Sequence, residues 1–429
     1  MRVAFFTLGC KVNQMETAAV RRLLAESGHI PVEEGGEADA CVINTCAVTA
    51  ESARKSRTLV RRLRKERPEA LICLCGCYPQ SDGEGAEALG ADYIGGAGER
   101  RALVEFLNSA DHEKHILLPP PEERTVFERL PVGSVAGRTR AFLKIEDGCH
   151  NFCTYCIIPR LRGPVRSESI AALRGQAAEL AAKGYREIVL VGIEISSFGK
   201  DTGESLAALI EAVAEVAPGV RLRLGSLEPR TVDRAFCERI AGLRELCPHF
   251  HLSLQSGSGE ILRRMGRRYT PERYLESAAL LRAYFENPAI TTDIICGFPG
   301  ETETHFRETE AFMAEVGFAD VHIFPYSKRE GTPAALLPDQ LTRAEKAARA
   351  ARLAEVKTAL RQAYFAGQTG RVLSVLFESE REEGGALFSE GHSENYMPVR
   401  VPGGELGGRI FPVRITGAEP AFLMGERAE

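Results

Sequence analysis

The sequence predicts an α/β protein in three parts: an N-terminal open parallel sheet covered by helices, a central partial (β/α)6 barrel, and a small C-terminal all-β barrel. Three observations predict it. Residues 2–108 alternate short apolar runs with helical stretches. The alternation resumes from Arg140 to about Tyr326 with six further apolar runs. From Gly370 onward the chain turns to short alternating runs punctuated by glycine.

In the first part, Val3–Leu8 is an apolar run ending at Gly9-Cys10, and a helical stretch follows from about Glu16 to Ser27. Ala40–Ile43 ends at Asn44-Thr45-Cys46 and leads into a basic helix, about Glu51 to Glu66. Ala70–Cys75 ends at Gly76-Cys77, and Ala91–Gly95 is a candidate fourth run. Such β-α-β order implies parallel strands. The domain is expected over residues 1–110. Pro119, Pro120, Pro121 and Pro131 stand amid charges and break helix and strand alike, so 111–138 is expected to be a linker.

The barrel is expected over 139–368. Its strand candidates are Ala141–Glu146, Glu187–Val191, Arg221–Leu227, Phe250–Leu254, Ile290–Cys296 and Asp320–Phe324. Six units suit an open barrel, not the closed eight. Thr342 to Gly367 is one long helix, and 369–429 forms a small antiparallel barrel or sandwich from runs such as Arg371–Phe377, Met397–Val401 and Ile410–Ile415.

The chain has 429 residues, 44% of them apolar, enough for a core in each part. It has no apolar stretch of membrane-spanning length and no signal-peptide pattern, so no membrane partner and a cytoplasmic location are expected. Twelve cysteines in a reducing compartment point to metal or redox work before disulfides. The net charge of −5 excludes a global basic field, so a nucleic-acid partner needs local patches.

Cys149, Cys153 and Cys156 have the spacing C-x3-C-x2-C directly after a predicted strand, with Tyr155 before the last cysteine. Thiolates ligate iron–sulfur clusters, and three of them leave one iron open for chemistry. Zinc prefers four ligands, commonly as two C-x2-C pairs, and no partner pair lies near in sequence. Cys10, Cys46 and Cys77 each end one of three successive strands. In a parallel sheet such ends gather on one edge. These cysteines are the candidates for a second three-thiolate site. Cys75 shares a strand face with Cys77 by the period of two and is the alternative third ligand. Cys41, Cys237, Cys247 and Cys296 are expected as small apolar packing residues.

Together these residues resemble the methylthiotransferase family of radical S-adenosylmethionine (SAM) enzymes. Thr7–Gln14, Asn44-Thr45-Cys46 and Gly76-Cys77-Tyr78 match its N-terminal domain. Cys149–Cys156 with Ile157-Ile158-Pro159, Leu254–Ser258 and Asp293–Glu301 match its core. Gly9–Gln14 and Gly391–Tyr396 are most similar to the branch acting on N6-threonylcarbamoyladenosine beside the tRNA anticodon. Other branches act on isopentenyladenosine or a ribosomal-protein aspartate. Departures are Arg160-Leu161 where Tyr-Ala is usual, Glu194 where Asn or His is common, and Gly225 for a serine.

The resemblance implies two 4Fe–4S clusters, SAM cleaved at the Cys149/Cys153/Cys156 site, and a methylthio group placed on adenine C2 with sulfur from the Cys10/Cys46/Cys77 site. It implies that Tyr155, Gly192, Glu194, Glu228, Gln255 and Asp293 contact SAM. The partners implied are a tRNA anticodon stem-loop and an external electron donor such as flavodoxin or ferredoxin. A non-catalytic two-cluster electron carrier is the rival from another class, and an RNA-binding protein with structural zinc is a third. For phosphate contacts the sequence offers Arg160, Arg162 and Arg166 beside the cluster loop, Arg263 and Arg264, and eight basic residues over Arg54–Arg67. The C-terminal part resembles a TRAM domain, an RNA-binding barrel, although residues 371–429 hold six basic and ten acidic residues.

Overall fold

The structure is a computed structural model, and it describes residues 1–133 and 139–428. Positions 134–138 of the expected linker lie outside the described residues.

The first sheet has six parallel strands: β1 (Arg2–Thr7), β2 (Ile30–Val32), β3 (Ala40–Thr45), β4 (Leu71–Gly76), β5 (Tyr93–Gly95) and β6 (His115–Leu117), in the order β2-β1-β3-β4-β5-β6. All six residues of β3 are buried, as a central strand covered on both faces requires. The two strands that the sequence did not signal, β2 and β6, are three-residue edges. Pro31 sits in one of them, which an edge tolerates. β6 also corrects the linker expectation. The segment 111–133 is tied to the sheet, and Arg124 donates to the Leu161 carbonyl at 2.9 Å.

The barrel strands are β7 (Arg140–Lys144), β10 (Glu187–Val191), β11 (Arg221–Leu224), β12 (His249–His251), β13 (Ala289–Cys296) and β14 (Asp320–Pro325). A two-residue ladder of β8 (Glu146–Asp147) and β9 (Arg166–Ser167) brackets the loop between the first two. The six barrel strands form two three-stranded parallel sheets, β7-β10-β11 and β12-β13-β14. Parallel bridges Leu222–Leu246 and Leu227–Leu252 join them. The result is the open six-strand barrel that the sequence predicts.

Helix Arg343–Ala366 starts at a capping box between Thr342 and Glu345 and leads into the closed C-terminal barrel. Its strands are β15 (Val372–Glu383), β16 (Ala386–Ser393), β17 (Pro398–Pro402), β18 (Ile410–Ala418) and β19 (Leu423–Arg427). One pairing, β17 with β19, is parallel, so the barrel is not wholly antiparallel. Among the described residues no helix is long and apolar enough to cross a membrane.

The three parts share cores. Cys77 and Tyr78 pack in one cluster with Ile157 and Leu161, which follow the cysteine loop of the barrel. Arg221 and Arg223 of β11 donate to the carbonyls of His392 and Glu394 in the C-terminal barrel, at 3.2 and 3.0 Å.

Candidate active site

The ends of β1, β3 and β4 stand in register, Thr7 beside Asn44 and Thr45 beside Gly76, so Cys10, Cys46 and Cys77 leave the sheet at one edge. Two turns make this possible. Gly9 and Gly76 have φ of +117° and +104°. A Cβ on Gly9 would lie 3.0 Å from the Cβ of Cys46, and one on Gly76 would lie 2.5 Å from the Thr45 carbonyl oxygen. Burial pushes the Cys77 thiol up to about 12, and its neighbours Cys46 and Cys10 add to the shift. At Gly76 the strand gives way to the helix Cys77–Ser81, which breaks the period of two. Cys73 and Cys75 pack with Tyr93 and Leu103 in a different cluster from Cys77.

A buried polar network connects this edge to the barrel. Asn13 Nδ2 donates to the carbonyls of Leu8 and Thr45, both at 3.0 Å, and its Oδ1 accepts from Cys10 Sγ at 3.3 Å. The same Oδ1 accepts from Arg162 Nη2 at 3.1 Å. Arg162 Nη1 reaches Glu16 at 2.9 Å and Asp147 at 3.0 Å. Lys144 reaches the same two carboxylates, and Arg100 reaches Glu16. Burial alone would raise the Glu16 pKa, but Arg162, Lys144 and Arg100 outweigh it and hold the carboxyl well below its usual range.

Two expected RNA contacts are therefore corrected. Arg162 is 1% exposed, and both of its Nη atoms are engaged in this network. Arg166 is 4% exposed, with Nη1 donating to the carbonyls of Arg162 and Pro164. Neither guanidinium reaches solvent. Arg160 lines an open cleft. Arg263 and Arg264 are exposed, and both pair with Glu260.

The Cys149–Cys156 loop follows β7 and β8. Gly148, at φ +85°, lets the chain pass the Pro164 carbonyl, which a Cβ would meet at 1.9 Å. The Cys156 N–H donates to the Cys153 carbonyl at 2.9 Å, and the Asn151 N–H to Cys149 Sγ at 3.4 Å. Burial pushes the Cys149 and Cys156 thiols up to about 12. Arg267 donates to Cys153 Sγ at 3.2 Å and to the Tyr269 hydroxyl at 3.0 Å. Nothing in the sequence around Arg267 signalled this contact. Tyr155 packs beside Met265 and Phe298.

Gly192 and Glu194 follow β10. Glu194 accepts from Asn151 Nδ2 at 2.8 Å, so it faces the cysteine loop. The Glu194 N–H donates to Glu146 Oε1 at 2.5 Å, and a Cβ on Gly192 would lie 2.2 Å from that oxygen. Glu146 is fully buried, and Oε2 has no partner among the described residues. Burial raises its pKa well above the usual range. The sequence had no signal for this carboxyl. Glu228 follows β11, donates from its N–H to Ser196 Oγ at 2.8 Å, and holds Arg230 with both carboxylate oxygens at 2.8 Å. Gln255, at φ +75°, donates from its N–H to the Asp293 carbonyl at 2.8 Å. The Asp293 side chain lies 3.4 Å from His251 Nε2 and lines a cavity of about 400 Å³ between the barrel and the C-terminal barrel.

Residues 143–313 match the radical SAM superfamily, and residues 2–94 match the uncharacterized protein family UPF0004. The chain is 37% identical over 433 residues to the threonylcarbamoyladenosine tRNA methylthiotransferase MtaB of Bacillus subtilis, covering 99% of this chain and 96% of that relative. It is 33% identical over 429 residues to the tRNA-2-methylthio-N(6)-dimethylallyladenosine synthase of Pelotomaculum thermopropionicum, covering 97% and 95%. The chain belongs to the radical SAM methylthiotransferase family. The radical SAM methyltransferase TsrM of Kitasatospora setae matches 78% of this chain and 77% of its own with a TM-score of 0.59 at 15% identity, which shows a shared fold.

As a radical SAM methylthiotransferase, the enzyme uses SAM and a 4Fe–4S cluster. The loop 149–156 fits such a cluster in donor chemistry. It gathers three thiols, of which burial keeps Cys149 and Cys156 protonated without metal, and a guanidinium N–H already points at the sulfur of Cys153.

Proposed function

We propose that the enzyme is a tRNA methylthiotransferase that converts N6-threonylcarbamoyladenosine beside the anticodon to its 2-methylthio form, using two three-thiolate clusters. The observation that carries this is the buried network that ties the Cys10/Cys46/Cys77 edge to the barrel: Asn13 Oδ1 accepts from the Cys10 thiol and from Arg162, and Arg162 holds Asp147, two residues before Cys149. The Cys149/Cys153/Cys156 and Cys10/Cys46/Cys77 sites would hold 4Fe–4S clusters that supply, respectively, the electron for SAM cleavage and the sulfur for insertion.

The chain's own residues do the positioning. Arg267 hydrogen-bonds Cys153 Sγ and would place a positive donor at that sulfur in a bound cluster. Asn151 orients the Glu194 carboxylate toward the cysteine loop, where it accepts from a SAM ammonium. Glu228, Gln255 and the Gly192 backbone line the same strand ends. Tyr155 packs into the apolar cluster with Met265 and closes that side of the loop.

A cleft of about 640 Å³ between the first domain and the barrel is lined by Arg57, Arg160 and Arg329 together with Tyr78. Its guanidinium groups offer phosphate contacts to an RNA loop beside Tyr78, the residue after Cys77. A flavodoxin or ferredoxin delivers the electron, and the tRNA substrate places the enzyme in the cytoplasm. Threonylcarbamoyladenosine is preferred because MtaB of Bacillus subtilis acts on it and Gly391–Tyr396 has that branch's wording. Mass spectrometry of tRNA nucleosides from a deletion strain tests this. Loss of only the methylthio form of threonylcarbamoyladenosine is expected. Loss of the isopentenyl methylthio form instead would overturn it.

A further inference from the structure

The cavity at the centre of the molecule has a polarity that the reaction alone does not require. It is lined by Lys11 from the first domain, His251, Asp293 and His322 from the barrel, and Tyr396 from the C-terminal barrel. Lys11 follows Cys10, and Ser226 on the same wall stands two residues before Glu228. Two walls of the cavity thus continue along the chain to Cys10 and to Glu228.

Most charges along this wall are already matched. Asp320 is held by Lys357 at 3.1 Å, and Arg361 donates to the Ala421 carbonyl at 2.9 Å. His392 is hydrogen-bonded to Glu378 at 2.5 Å. The Lys11 ammonium has no ion-pair partner among the described residues. His251 Nδ1 is fixed by Thr291 Oγ1 at 3.1 Å, which turns Nε2 toward Asp293. Ligand atoms of His251, Asp293 and His322 all lie within 4.8 Å of one another, so they present one compact polar surface.

We infer that this cavity is the subsite for the substituent on adenine N6, that it selects an anionic substituent, and that Lys11 takes the carboxylate while His251, Asp293 and His322 take the hydroxyl and ureido groups. The inference rests on the methylthiotransferase reading above and specifies how the substrate is recognised. On adenine, C2 and C6 flank the same ring nitrogen and C6 carries N6, so a group on N6 can project beside the carbon to be modified. A substituent pocket must therefore lie close to the reacting centre, and this one is bounded by Lys11, next to Cys10 in the chain, and by Asp293, whose carbonyl accepts from the Gln255 N–H. Its volume is in the range for a small-molecule site. An isopentenyl group would give the Lys11 ammonium no partner and would take water from the polar wall of His251, Asp293 and His322, which disfavours that substrate. A carboxylate satisfies the ammonium directly.

The test uses the reconstituted holoenzyme and fluorescent anticodon stem-loops carrying threonylcarbamoyladenosine, its threonine carboxamide, or unmodified adenosine. The wild type is expected to bind the carboxylate RNA about 10- to 100-fold more tightly than the carboxamide. Lys11→Met should bind both alike, at the carboxamide level. Iron and sulfide content verify that its clusters are intact. His322→Leu, distant in sequence from the cysteines, should narrow the preference as a second variant. Equal binding of carboxylate and carboxamide by the wild type, or full discrimination by Lys11→Met, would overturn the subsite. Failure of the broader reading looks different: the wild type would not methylthiolate the threonylcarbamoyl RNA at all.

Discussion

Arg162 Nη2 donates to Asn13 Oδ1 at 3.1 Å, so the residue six places after Cys156 grips the residue three places after Cys10. That oxygen also accepts from the Cys10 thiol. A side chain chosen at Asn13 therefore acts on the first sheet, on the barrel and on a candidate metal ligand together.

Arg162→Met is expected to destabilise the protein by about 3–5 kcal/mol, because it strands buried Glu16 and Asp147. Denaturant unfolding of the variant and the wild type measures this. Glu16 has a depressed native pKa, so its share of stability is complete above the ordinary carboxyl range and is lost as pH falls through the native value. A midpoint within about 0.5 kcal/mol of wild type would show that the network contributes nothing.

Glu146→Gln should be stabilising at alkaline pH. The native pKa of Glu146 is raised by burial, so its favourable form is present below the ordinary carboxyl range and lost as pH rises through the raised value. Glutamine keeps the acceptor for the Glu194 N–H and carries no charge. Melting curves at several pH values should coincide near pH 4 and separate above it, by about 1–3 kcal/mol in favour of the variant. A pH-independent difference would count against a buried neutral acid.

Arg267→Met removes the N–H that reaches Cys153 Sγ. Loss of a positive donor at a cluster sulfur disfavours the reduced state, so the potential should fall by about 60 mV, roughly tenfold in the one-electron equilibrium. Potentiometric titration followed by electron paramagnetic resonance reads this shift. An unchanged potential would place Arg267 in a purely packing role.

Arg160→Ala should weaken stem-loop binding uniformly across sequences and reduce the salt slope by about one phosphate contact. Arg263→Ala should do less, because Glu260 already neutralises that guanidinium. Binding measured from low to moderate salt compares the two. An Arg160→Ala slope equal to wild type would remove the cleft from the RNA path.

The open barrel and the positions of Cys10, Cys46 and Cys77 after strand ends were legible in the sequence because they depend on local signals, short runs rich in apolar and β-branched residues that stop at glycine or polar turns. The edge strands Ile30–Val32 and His115–Leu117 were not legible, since three residues at an edge bury too little to leave a pattern. The basic residues were the least legible. Arg160 and Arg162 are two positions apart on a short helix, yet one lines a cleft and the other is sealed inside. What decides between them is Glu16, distant in sequence, and no local composition reports that. His251 and His322 belong to the same class, brought together only when β12 and β14 flank β13.

Iron and sulfide counting on anaerobically reconstituted protein tests the two-site account most directly, with Cys10, Cys46 and Cys77 all changed to alanine. The wild type should hold about eight irons and the triple variant about four, with SAM cleavage still detectable in the variant. About four irons in both proteins would mean that the edge formed by Cys10, Cys46 and Cys77 carries no cluster.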